Sequence, residues 1–123
     1  MSRTADLRKL IKSRLDMVQG GTYYVHAPDS AEFPYKTFEL STIAMGDLSR
    51  FDYAVTVDVW DNAPDPKEVE EIADELEEML SAANLPQDHI LPTFFRESRY
   101  IVEDPDKDIQ HLQMNFSVQL YKH

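Results

Sequence analysis

Residues 51–83 constrain the fold more than any other stretch. They read as strand, turn and helix: FDYAVTVDVW, then DNAPDP, then KEVEEIADELEEMLSAA. In the first segment Phe51, Tyr53, Val55, Val57 and Val59 alternate with Asp52, Ala54, Thr56, Asp58 and Trp60. A period of two sends alternate side chains to opposite faces of a pleated strand, and Val, Tyr, Phe and Thr suit a half-buried one. In the last segment Val69, Ile72, Ala73, Leu76, Met79, Leu80 and Ala83 recur at the spacing of one helix face. Asp65 is placed to cap that helix, with Pro66 as its first residue and Glu68 as the third, a capping-box pattern in which the missing proline N–H costs nothing. Asn84 and Pro86 predict its end.

The flanking sequence supplies the other elements. A first helix is predicted from about Thr4, as N-cap, to Gln19, with Leu7, Leu10, Ile11, Leu15 and Val18 as its apolar stripe and Gly20-Gly21 as its stop. Thr22 to His26 reads as a short strand and APDSAEFP as a polar loop. Tyr35 to Ala44 is a second strand whose imperfect alternation calls for a bulge or a two-sided environment. Gly46-Asp47 with Ser49 marks a turn, which makes strands two and three a hairpin. After a loop from Leu85 to Pro92, Phe94 to Val102 is a fourth strand. Asp104-Pro105-Asp106 turns the chain, and His111 to Tyr121 is a fifth strand. There Leu112, Met114, Phe116, Val118 and Leu120 share one face. One apolar sheet face and two apolar helix stripes assemble most simply in two layers. The expected fold is a single α+β domain over residues 1–123. It is a two-layer sandwich in the order α-β-β-β-α-β-β, mainly antiparallel, with both helices on one face.

Charge narrows the function. The chain of 123 residues carries a net charge of −11 and no cysteine. Disulfide and thiolate chemistry are excluded. The acidic balance argues against a general nucleic-acid binder and against adsorption to anionic membranes. No apolar run approaches the roughly 20 residues that a membrane helix needs. The charge is also uneven: from Arg3 to Arg14 the chain carries Arg3, Arg8, Lys9, Lys12 and Arg14 against Asp6, and in the second helix seven acids stand against Lys67. The plain reading is two solvated faces; the alternative is an assembly device.

No catalytic pattern emerges. His26, His89, His111 and His123 have no zinc-type spacing, and most read as surface or loop residues. Asp104, Asp106 and Asp108 open like a calcium loop, but Ile109 stands where glycine is needed and Asn115 where the closing glutamate belongs. These acids therefore read as a solvated turn. The glutamates of the second helix lie opposite its apolar stripe, exposed and without the burial that moves a carboxyl toward neutrality. Tyr23, Tyr24, Phe94, Phe95, Tyr100 and Trp60 read as core and sheet packing, since base-stacking platforms come with a basic groove.

Several landmarks succeed one another: an N-terminal helix, Phe33-Pro34-Tyr35 opening a strand, and Val57-Asp58-Val59-Trp60 closing one. An acidic amphipathic helix follows, and a last strand runs from His111 through Phe116 and Val118 to Leu120. In this succession the chain resembles the tail-completion proteins of long, non-contractile-tailed bacteriophages and prophages, the tail terminator or tail-to-head joining proteins, over nearly its whole length. The resemblance implies a non-enzymatic virion part with no cofactor, no metal and no catalytic residue. It implies a hexameric ring, monomeric before assembly, at the head-proximal end of the tail tube. That ring stops tube growth and meets the tail-tube protein on one side and the head connector or neck protein on the other. Genome DNA passes through without sequence-specific binding, and an acidic lumen would keep passage fast. Glu70, Glu71, Asp74, Glu77 and Glu78 are the candidates for such a lumen, or for contact with a neighbour's basic groups such as Arg8 and Lys12. Another small neck or head-closure component, or an intracellular acidic binding module, are the competing readings.

Overall fold

A computed structural model describes residues 2–43, 50–81 and 92–121. Its elements run α1 (Arg3–Leu15), β1 (Gly21–Tyr24), β2 (Tyr35–Thr42), β3 (Arg50–Asn62), α2 (Lys67–Ser81), β4 (Pro92–Val102) and β5 (Ile109–Tyr121). This is the expected α+β order. The five strands form one sheet in the order β1-β2-β3-β5-β4. The β2–β3, β3–β5 and β4–β5 pairs are antiparallel. Both helices cover one face: α2 lies on β3, β5 and β4, and α1 packs on α2 and β1.

The alternation read in the sequence sets the core. Tyr53, Val55, Val57 and Val59 of β3 and Leu112, Met114, Phe116, Val118 and Leu120 of β5 are buried. They meet Leu7, Leu10, Ile11 and Leu15 of α1 and Val69, Ile72, Ala73, Leu76 and Leu80 of α2. Each such side chain contributes about 1.5–3 kcal/mol on burial.

Three local expectations need correction, and one alternative is decided. Ser2, not Thr4, caps α1: its side chain accepts from the Ala5 amide, and the Thr4 hydroxyl instead meets the Tyr53 hydroxyl at 2.9 Å. The helix stops at Leu15, well before the glycines, and Val18 is buried from the turn that follows. β1 ends at Tyr24 and runs parallel to β2, with Gly21 opposite Tyr35, in an otherwise antiparallel sheet. The loop after Tyr24 returns the chain to the same end of the sheet, which is what a parallel pair requires. The irregular pattern of β2 is a two-sided environment, since its register against β3 is unbroken; the bulge lies in β4, between Arg96 and Ser98. At the start of α2 the Asp65 carboxylate accepts from the Lys67 amide, as its capping role requires. The expected turn at Gly46-Asp47, the helix stop at Asn84 and Pro86, and two of the histidines, His89 and His123, lie outside the described residues.

Lys36 explains the β2 pattern. It sits on the core side opposite Val59 and is fully buried. Its Nζ donates to the carbonyls of Val18 at 2.7 Å, Gln19 at 2.9 Å and Gly20 at 2.6 Å. The ammonium's three protons thus answer three carbonyls left over where α1 gives way to β1. Burial lowers its pKa to about 8, although Asp16 and Glu75 act the other way. Gly20 completes this crossing. Its φ is +96°, and a Cβ there would stand 2.7 Å from the Pro34 carbonyl oxygen.

Candidate functional site

Two surfaces carry the polar chemistry. The first is the helix layer, and many of its charges are engaged within the chain. Arg3 lies 3.5 Å over the Phe51 ring and donates to the Tyr53 hydroxyl. Arg8 stands 5.4 Å over Tyr24, and Lys12 pairs with Asp16 at 2.8 Å, one helix turn on. Arg14 is buried between the helices and the sheet, near the Leu80 carbonyl and the Phe94 ring, and burial lowers its pKa. On α2, Asp74 receives Arg99 at 2.6 Å, and Glu77 receives Arg96 at 2.9 Å and Arg99 at 3.6 Å. Arg99 also donates to the Glu70 carbonyl, so β4 is tied to α2 by its own arginines. The side chains of Glu70, Glu71, Glu75 and Glu78 are exposed. Of the sequence candidates, then, Arg8, Lys12, Asp74 and Glu77 have partners inside the chain, and Glu70, Glu71 and Glu78 face solvent on α2. Within the chain Lys12 is engaged by Asp16 and Arg8 by the Tyr24 ring, rather than by any of these acids.

The second surface is the sheet face away from the helices. Across its centre runs a ladder of polar side chains from three strands. Thr56 donates to Asn115 and Asn115 to Ser98, at 2.9 and 3.0 Å. Ser117 donates to Glu97 at 2.7 Å. Gln113 donates to Asp58 at 2.9 Å and is also bonded to the Tyr100 hydroxyl. At one end the ladder gives way to rings. Phe33 meets Tyr35 at 5.3 Å, Tyr35 stacks on Trp60 at 6.1 Å, and Trp60 stacks on His111 at 3.6 Å. His111 Nε2 lies 2.6 Å from Asp58 Oδ1. Burial, aided by the charge of Asp104, raises the Tyr35 hydroxyl pKa.

This cluster corrects two expectations. His111, near the start of the last strand, is buried rather than a surface residue, and of the aromatic residues expected in the packing, Tyr24, Phe95 and Tyr100 are exposed. It also shows what the sequence landmarks share. Phe33-Pro34-Tyr35, Val57-Asp58-Val59-Trp60 and the start of the last strand meet in one stack, because β2, β3 and β5 are neighbours. The Phe33–Pro34 peptide within it is cis. The sequence held the pieces, but their meeting depends on strand order. The turn after β4 behaves as a polar turn: Asp104 and Asp106 each accept from the amide two residues on. Among the described residues no group of three or more His, Cys, Asp or Glu side chains is placed to hold a metal ion. No helix among them is long and apolar enough to cross a membrane. The chemistry on offer is recognition: opposite charges on two helices, and a sheet face whose polar groups answer one another.

The model of the family described as tail completion protein gp17 matches residues 7–121. A search of curated proteins finds no match. Among solved structures, a chain of "Virion of native gene transfer agent (GTA) particle" shares the fold with a TM-score of 0.65 at 10% identity, covering 96% of this chain and 90% of that one. A second solved chain matches with a TM-score of 0.66 at 11% identity, covering 100% of this chain and 99% of that one.

Proposed function

The chain belongs to the tail completion protein gp17 family, and from that premise we propose that it is the ring that closes the head-proximal end of a phage tail tube, ends tube growth and joins tail to head. The family match over residues 7–121 carries this reading. It supports a structural part in tail assembly and a place in the virion. The gene transfer agent chain adds that this fold is used in a phage-like particle. We read the chain as non-enzymatic, since the acids of α2 are exposed or held by arginines rather than buried beside a partner that would activate them.

In this proposal the partners are further copies of the chain, the tail-tube protein and the head connector, with assembly in the host cytoplasm. The charge distribution fits a passage for DNA: a net charge of −11 repels phosphates. Glu70, Glu71 and Glu78 line the lumen or meet Arg8 and Lys12 of the next copy, with Asp74 and Glu77 held beside them by Arg96 and Arg99. The test is assembly. Purified protein is added to tail tubes made without it and viewed by electron microscopy. Expected are rings at one end of each tube, tubes of fixed length, and tails competent to attach heads. Tubes that keep growing, with no ring at either end, overturn the reading.

A further inference from the structure

We propose that neighbouring copies of this chain join sheet edge to sheet edge, with β1 of one copy set beside β4 of the next. The inference rests on the ring reading above and names the contact that would build the ring. Strand order leaves β1 and β4 at the two ends of the sheet. Both edges expose large apolar side chains, on β4 beside Pro92, Arg96, Glu97 and Arg99. Tyr24, the last residue of β1, and Val25 just beyond it are 38% and 47% exposed. Phe95, Tyr100 and Ile101 on β4 are 45%, 48% and 45% exposed. Most of the exposed large apolar side chains among the described residues thus gather at the two strands that lack an outer neighbour.

The pairing lengths agree. β1 has four residues, Gly21–Tyr24. The bulge between Arg96 and Ser98 divides β4 into two regular parts, Pro92 to Arg96 and Ser98 to Val102, and the second carries the exposed Tyr100 and Ile101. The Val25 amide donates inward to the Phe38 carbonyl. By alternation the backbone of Thr22 and of Tyr24 turns outward, the Tyr24 carbonyl already accepting from the His26 amide.

Charge selects the partner as a second copy in head-to-tail order. Arg8 stands over Tyr24 at the β1 edge, with Lys9 and Lys12 exposed on the same helix. At the β4 edge lies α2, whose Asp74 is bonded to Arg99 of β4 and whose Glu70, Glu71 and Glu78 are exposed. Joining β1 to β4 brings the basic helix beside the acidic one. Joining like edges opposes like charges, which disfavours two-fold pairing. A contact between two different patches repeats from copy to copy and closes into a ring when its rotation allows.

The chain has no cysteine, so single thiols report the contact without interference. Val25→Cys and Ile101→Cys alter two exposed side chains and are mixed on tail tubes, then treated with a short thiol-to-thiol crosslinker. Expected is a covalent dimer from the mixture and none from either variant alone. The double variant should lose its monomer band and give a ladder ending at a closed species. Rings in the microscope without that dimer, or dimers from Ile101→Cys alone, overturn the edge contact and leave the ring reading standing. A ladder from the double variant, with wild-type protein forming no ring on tubes, supports the contact and overturns the ring.

Discussion

Lys36 is the residue whose environment differs most from its type. A lysine on the core side of a strand is costly unless its ammonium is fully answered, and here three carbonyls answer it. Lys36→Met strands those carbonyls and should destabilise the fold by about 2–3 kcal/mol at neutral pH. The pH dependence has a definite sign. The folded pKa of about 8 lies below the ordinary 10.5, so the folded protein sheds this proton first. Stability from this residue is constant below pH 8 and rises between 8 and 10.5. The gap between wild type and Lys36→Met in urea unfolding should therefore widen across that window, by up to about 3 kcal/mol; a gap that narrows there counts against the buried charge. His111 is the second such residue. It stacks on the chain's single tryptophan and faces Asp58. His111→Ala should cost about 1–3 kcal/mol, through the lost stack and the loss of one of the two side chains bonded to the Asp58 carboxylate. Trp60 emission reports the unfolding directly, and an unchanged midpoint would show the stack to be idle.

At the scale of elements, the two helices contrast. α2 was legible over its described span: its stripe, the Asp65 carboxylate at its start and its acidic face all follow from local spacing, although the helix begins at Lys67 rather than Pro66. Asp65→Ala should cost about 1 kcal/mol in chemical denaturation. α1 was legible as a stripe but not at its ends. Thr4 looked like a cap because its hydroxyl is suited to one, yet Tyr53 claims that hydroxyl from a distant strand, and Ser2 does the capping. Ser2→Ala should therefore weaken the helix start, and Thr4→Ala should loosen the tie between α1 and β3 instead. Loss of stability in both, with helix content reduced only in the first, is the expected pair; the circular dichroism of the two variants separates them. β1 was legible as a strand and not as a parallel one, because four residues carry no signal about direction.

For the whole molecule the separation of charge matters more than its sum. The basic surface of α1 and the acidic surface of α2 are fixed on one sheet face, α1 toward β1 and α2 over β3, β5 and β4. Reversing Arg8 and Lys12 to glutamate should weaken ring formation, most at low salt. Each exposed pair is worth about 0.2–1 kcal/mol, and screening removes much of that as salt rises. Arg8 also stacks on Tyr24 and Lys12 pairs with Asp16, so the melting temperature of the unassembled variant must be shown to hold. Rings that form equally well at low salt would remove these two residues from the contact.

What the sequence determined by itself were the one-dimensional patterns: which stretches are strands or helices, which side of each is apolar, and the acidic balance. These follow from the geometry of a single element, where residues two, three or four apart share a face. The tertiary structure alone decided the strand order, the parallel edge, the burial of Lys36 and the stack of Phe33, Tyr35, Trp60 and His111. Each needs residues far apart in the chain to meet, 18 positions for Lys36 and Val18 and 53 for His111 and Asp58. No local period encodes such a meeting. It is settled only when the apolar faces have packed and the polar groups trapped among them must find one another.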